Sequence, residues 1–194
     1  MNIWVIGNGE SRRTFALNQI KDLTIGCNAV HRDFNCDRFV AVDRRMVEEI
    51  LRNDAVTNSA VYTRQDWYKE WCSDRVRSLP DLPFEGTDKV DKPFHWNSGP
   101  YAVLLASMML PQQIHLLGFD LWSVDGLVNN FYKGTSNYSK TDSKKVMPDF
   151  WIYQLAKVFN YYSQIEFIQH QQQDWRIPDS WLAIKNLTIV YDIV

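Results

Sequence analysis

The sequence is sparing in the features that would classify a chain at a glance. It has three cysteines in 194 residues, Cys27, Cys36 and Cys72. An odd number without metal-ligand spacing reads as reduced cytosolic thiols and supplies no metal cluster. It has no surplus of positive charge, since 21 Lys and Arg face 23 Asp and Glu for a net charge of −2. That excludes a dedicated nucleic-acid binder, which would carry a basic excess. No apolar run approaches the roughly 18 residues of a membrane span. No basic and apolar leader precedes the first apolar segment, so the expectation is a cytoplasmic protein without a secretion signal. Internal repeats and low-complexity segments are also missing.

What is present suits one folded unit over residues 1–194. Apolar residues make up 45% and charged residues 23%, a balance that fills a core of this size without staples. Eight tryptophans can line a ligand site, but most are expected in the core.

The first dozen residues carry the strongest signal. An apolar run at 2–6 breaks into Gly7-Asn8-Gly9-Glu10-Ser11 and then into a helix-like stretch from Ser11. A buried strand that turns through glycine into a helix start is a common anion holder, because helical N–H groups and a partial positive charge face the turn. The same glycines also suit a plain tight turn. A dinucleotide fingerprint is excluded, since its third glycine is Arg12 and the next strand ends in Cys27-Asn28 without an acidic residue. The Gly-Lys-Ser/Thr ending of a P-loop is absent.

Further strands are expected at 23–27, 38–42, 60–63, 113–117, 165–169 and 187–191. Helices are expected at 44–52, 65–72, 98–110, 148–161 and 175–184. Residues 78–96 carry Pro80, Pro83, Gly86 and Pro93 and read as a long surface loop. Residues 123–146 are polar and read as a loop that can act as a lid. This alternation predicts an α/β fold, a Rossmann-like three-layer arrangement with a mostly parallel sheet and helices on both faces. Ligands of such sheets bind at the carboxyl ends of the strands. That brings four polar clusters to one rim: 8–11, Asn28, 97–99 and 120–122.

The order of these motifs resembles the bacterial lipooligosaccharide sialyltransferases of glycosyltransferase family 42, and a neighbouring group of uncharacterised and pterin-diphosphokinase-like proteins. Three matches over the first two-thirds of the chain carry the resemblance. They are Gly7-Asn8-Gly9-Glu10-Ser11 after a strand, Cys27-Asn28 closing the second strand, and Ser98-Gly99-Pro100-Tyr101 opening an apolar helix, followed by a strand and Gly118-Phe119-Asp120-Leu121-Trp122. The resemblance implies a metal-free site for a CMP-sugar, with Asn8, Asn28 and Ser98 holding the nucleotide. The physics suits those parts. An asparagine side chain both donates and accepts, so it can read a ribose or a pyrimidine edge. Ser98 and the Gly99 N–H stand at a helix start. Gly9, Ser11, Asn97 and Trp122 complete the expected nucleotide contacts.

The chain also departs from that family. A leaving-group tyrosine is replaced by Trp122, a second one corresponds to Tyr132 only across an insertion, and the general-base histidine has no counterpart within 136–149. Transfer to a hydroxyl needs a base and something to stabilise the departing phosphate. The candidates are His95 and Asp120 for the base and Tyr132, Lys133 or Trp122 for the phosphate. Arg44 and Arg45 are candidates for phosphate or acidic-group contacts through paired hydrogen bonds.

The expected partners are a nucleotide-sugar donor and a sugar or other hydroxyl acceptor, with a homo-oligomer allowed by the long loops. The leading expectation is a glycosyltransferase-like enzyme without cofactor. One alternative is a diphosphate-transfer enzyme using Mg²⁺ on Asp120, with Asp43 or Asp125. The other is a nucleotide-binding module that has lost its base.

Overall fold

A computed structural model describes residues 1–84, 86–123 and 126–193. Eight strands form one sheet: β1 Asn2–Ile6, β2 Leu23–Cys27, β3 Arg38–Val40, β4 Ala60–Thr63, β5 Val76–Ser78, β6 Gln113–Leu117, β7 Glu166–Gln172 and β8 Leu187–Ile193. Their order is β5-β4-β3-β2-β1-β6-β7-β8 and every neighbouring pair is parallel. The expected mostly parallel sheet is therefore wholly parallel. Ile3, Val5 and Ile6 of β1 and Ile114, Leu116 and Leu117 of β6 are fully buried, as central strands of a sheet covered on both faces should be.

One face carries α2 (Ser98–Ser107) and α3 (Asp149–Tyr161), packed over Ile3, Val5, Ile25, Ile114, Leu116 and Phe167. Helix α2 is apolar all round, and every residue in it except Gly99 is buried. The other face carries α1 (Arg44–Arg52), which turns Met46, Val47 and Ile50 toward Ile6, Phe39 and Val61. Burying one such Ile or Phe contributes about 1.5–3 kcal/mol, so the sheet's centre dominates stability.

The chain builds β1 through β5 outward on one side, then returns past β1 to lay down β6, β7 and β8 on the other. The strand order thus reverses between β1 and β6. The crevice beyond their carboxyl ends is the usual ligand position of an open parallel sheet.

Four elements differ from the sequence expectation. The stretch from Ser11 forms short 3-10 turns (Glu10–Thr14 and Leu17–Gln19) instead of an α-helix. There Arg12 is drawn inward onto Asp33 and Tyr132, while Phe15 packs on Trp4. The tryptophan-rich 65–72 segment holds one 3-10 turn, Tyr68–Glu70. Its Trp67 indole donates to Thr63 Oγ1 (2.9 Å) and lies against the guanidinium of Arg64. β5 is three residues long, with Val76 as its buried residue, too short for an alternation to be legible. Within 175–184 only Asp179–Trp181 is helical, because Pro178 interrupts the pattern.

No helix of the described residues is long and apolar enough to cross a membrane.

Candidate functional site

The crevice between β1 and β6 is a cavity of about 200 Å³. Its lining brings together residues from all four expected clusters: Asn8 and Gly9, Asn28, Asn97 to Gly99, and Asp120. The two loops that flank it come very close. A Cβ on Gly7 would lie 2.5 Å from the Gly118 carbonyl oxygen, and one on Gly9 would collide with the Asp120 carboxylate. The Gly9 N–H donates to the Gly118 carbonyl at 2.9 Å. The glycines of the first turn therefore let the β1 and β6 loops meet, a need that Gly118 shares at φ +73°.

The helix start after Gly9 already holds an anion, and that anion belongs to the protein. Asp120 accepts from the Ser11 N–H (2.9 Å) and from the Ser11 hydroxyl, while the Glu10 N–H goes to Asn129 Oδ1 (2.9 Å). Ser11 is thereby committed to positioning. Burial pushes the Asp120 carboxyl above its ordinary range, and the two Ser11 hydrogen bonds pull it part of the way back.

The helix start that stays open is that of α2. Asn97 stands at its N-cap position but makes no side-chain cap, and Ser98 and Gly99, whose N–H groups open the helix, line the cavity. Ser98 turns its hydroxyl elsewhere. It donates to Asn28 Oδ1 (2.8 Å) and accepts from the Val42 N–H (3.0 Å), tying together the ends of β2, β3 and α2.

That tie orients Asn28, which adopts a left-handed backbone at φ 50°, a conformation asparagine tolerates better than most residues. With its oxygen held by Ser98, its Nδ2 makes no hydrogen bond among the described residues. Asn8 is the converse. Its Nδ2 donates to the Tyr138 hydroxyl (2.8 Å), while its Oδ1 is buried and has no partner. A free donor and a free buried acceptor thus share one cavity. Buried polar groups are normally satisfied, and an exception of this kind calls for an explanation.

Tyr138 had no part in the sequence expectation. It lies in the 123–146 segment, which docks on the β1 turn through the Phe131 N–H to the Asn8 carbonyl (2.7 Å) and the Asn8–Tyr138 bond. Burial raises its phenol well above the ordinary value, so the hydroxyl stays protonated. The contact joins residues 130 positions apart. Nothing local in the sequence signals it.

Other expected residues fall outside the cavity. The Tyr132 hydroxyl is buried, accepting from Arg12 Nη2 (2.5 Å) and donating to Asp33. Lys133 pairs with Glu10 at 3.1 Å. His95 packs its ring against Phe94, and its carbonyl accepts from Gln154 Nε2 (2.9 Å). None of the three lines this cavity or the two beside it. Cys27 does line it, but burial pushes its thiol up to about 12, so it is no nucleophile.

Two further hollows adjoin the cavity. One, of about 430 Å³, shares Asn28 and Asp43 with it and adds Arg44, Arg45 and Tyr138. Arg44 is held by Glu70, whereas Arg45 is exposed and open to a ligand. The other, of about 970 Å³, shares Asp120 and Asn129 and adds Trp122 and Trp175. Among the described residues no group of three or more His, Cys, Asp or Glu is arranged to hold a metal ion. Asp125 lies outside the described residues.

No family model matches the chain, and no curated protein matches it. Among solved structures it is similar to the sialyltransferase CstII from Campylobacter jejuni, solved in complex with a substrate analogue, cytidine-5'-monophosphate. The TM-score is 0.51 at 13% identity, and the match covers 87% of this chain and 78% of that one. At that identity the likeness shows a shared fold.

Proposed function

We propose that the protein is a glycosyltransferase-like enzyme whose β1–β6 crevice takes a nucleotide-sugar, with a CMP-sugar as the preferred donor. The observation that carries this reading is the buried, unpartnered Asn8 Oδ1 together with the Asn28 Nδ2 that makes no protein hydrogen bond, two amides that line one cavity at the strand-order reversal. A pyrimidine edge or a ribose presents the matching donor and acceptor. The uncapped start of α2 suits the phosphate, and Gly99 leaves room for its approach. Sharing a fold with a CMP-complexed sialyltransferase adds support for this class.

The remaining roles follow from charge. Tyr138, protonated, tied to Asn8 and lining the hollow that shares Asn28 and Asp43 with the cavity, is assigned as a donor to the departing phosphate. Asp120 lies where the donor cavity meets the larger groove. Its raised pKa makes it a better proton acceptor than a solvated carboxylate, which suits a base for the acceptor hydroxyl. Arg45 is positioned for an acidic group on the donated sugar. The donor is held by hydrogen bonds and a helix start, without a metal.

Release of CMP from a CMP-sugar, measured with and without an added sugar acceptor and in the presence of a chelator, tests this reading. Acceptor-dependent release that is lost in Asp120→Asn, while CMP still binds, is the expected result. Release that requires Mg²⁺ and ATP in place of a CMP-sugar would move the assignment to diphosphate transfer.

A further inference from the structure

The 970 Å³ groove beside Asp120 has a chemistry of its own. Its wall carries Trp122 and Trp175, with ring centroids 6.1 Å apart and planes 28° from parallel. The Trp175 indole N–H donates to the Asp120 carbonyl at 2.8 Å, which fixes that ring against the β6 end. Trp122 is half-buried, so part of its indole stays open to the groove. Gln171 is 1% exposed and donates its Nε2 to the Phe119 carbonyl (3.0 Å), which leaves its amide oxygen as an acceptor in the groove wall. The rim is acidic. Asp149, Asp174 and Asp179 are exposed, and Arg176 is the one cationic side chain in the same lining.

We propose that this groove holds the acceptor, and that the acceptor is a neutral or amine-bearing sugar in preference to a carboxylate-bearing one. The proposal rests on the donor reading above for the groove's role, though the groove's preference is a property of its own wall. Indole faces stack on the apolar faces of a sugar ring, and they attract an ammonium through the ring quadrupole. The surplus of carboxylates lowers the local potential, which draws in a cation and repels a second carboxylate. The groove meets the donor cavity at Asp120 and Asn129, which sets a ring seated on Trp122 beside the carboxylate proposed above as the base.

The test measures binding of three probes by saturation-transfer NMR and calorimetry, with CMP binding measured separately on the same protein. The probes are lactose, a glucosamine trisaccharide and a glucuronate-bearing disaccharide. The glucosamine trisaccharide is expected to bind about tenfold more tightly than the glucuronate-bearing one, the scale of one cation–π contact. Trp122→Ala should weaken it about tenfold, and Trp122→Tyr should restore it, which separates loss of a stacking face from loss of the fold. The double change Asp174→Asn with Asp179→Asn should narrow the gap between the charged probes. Tightest binding of the glucuronate-bearing probe, or no binding of any probe to a protein that does bind CMP, would overturn the proposal and leave the donor reading standing. Tryptophan-dependent binding of the glucosamine probe by a protein that does not bind CMP would support the groove's preference and overturn the donor reading.

Discussion

Two tyrosines six residues apart on the segment after β6 meet opposite fates. Tyr132 points into the face under α1, where its hydroxyl is saturated by Arg12 and Asp33 and the Arg12 guanidinium stacks on Phe131 at 4.3 Å. Tyr138 packs its ring 5.8 Å from that of Tyr132 but turns its hydroxyl to the ends of the strands, where it accepts from Asn8 Nδ2 and the Ala29 N–H and lines the hollow next to the cavity. Both regions are rich in hydrogen-bonding groups. The first pairs the Arg12 guanidinium with Asp33 and Tyr132, though its Nε stays without a partner, and holds the segment to the body of the protein. The second keeps a donor and an acceptor in reserve.

This contrast can be broken by substitution, and the largest effect belongs to the first region. Arg12→Ala removes a guanidinium whose side chain is 1% exposed and strands the Tyr132 hydroxyl with the partly exposed Asp33. It should cost about 3 kcal/mol of stability in urea unfolding, while CMP affinity of the folded protein stays within twofold. A large loss of CMP affinity at unchanged stability would reverse the assignment of the two regions.

Tyr138→Phe is the counterpart in the second region. Loss of one donor to the leaving phosphate should lower kcat for transfer by about 100-fold, with stability changed by no more than about 1 kcal/mol. Next comes Asn28→Gly, which keeps the left-handed backbone without strain and deletes the amide. It should weaken CMP binding about tenfold in calorimetry.

A smaller effect comes from the imidazoles. Burial holds His31 and His115 below their ordinary 6.5, and His115 is lowered further by His170, whose Nε2 is 2.9 Å from its Nδ1. The unfolded chain then binds more protons than the folded one between those lowered values and 6.5. Their contribution to stability is full above 6.5 and declines as the pH falls below it. The urea midpoint should fall across that range, and His115→Gln should flatten the fall. The least effect is expected from Lys133→Ala. The partly exposed pair with Glu10 contributes under about 1 kcal/mol, and CMP release should be unchanged.

How much of this was legible in the sequence follows from the range of the interactions involved. β1, β2, β4 and β6 read correctly because each is an apolar run ended by glycine, asparagine or a turn, and α2 read correctly because it is apolar on every side. Asn8, Asn28, Ser98 and Asp120 were expected at one rim from their place at strand ends, and they line one cavity. Their partners were not. Ser11 with Asp120 and Asn8 with Tyr138 span 109 and 130 residues, and pairings of that length leave no local pattern. His95 was singled out for its nearness to Ser98 along the chain, yet the 3-10 turn Pro93–His95 sets its ring against Phe94. The tryptophan-rich 65–72 segment read as a helix by composition, whereas contacts with Thr63 and Arg64 hold it in a turn.

The most direct test of the central claim is a calorimetric titration of CMP in the presence of a chelator, on the natural chain and on Asn28→Gly. The account predicts metal-free binding of one CMP per chain that weakens about tenfold in the variant. No binding to the natural chain, or equal binding to both, would contradict it.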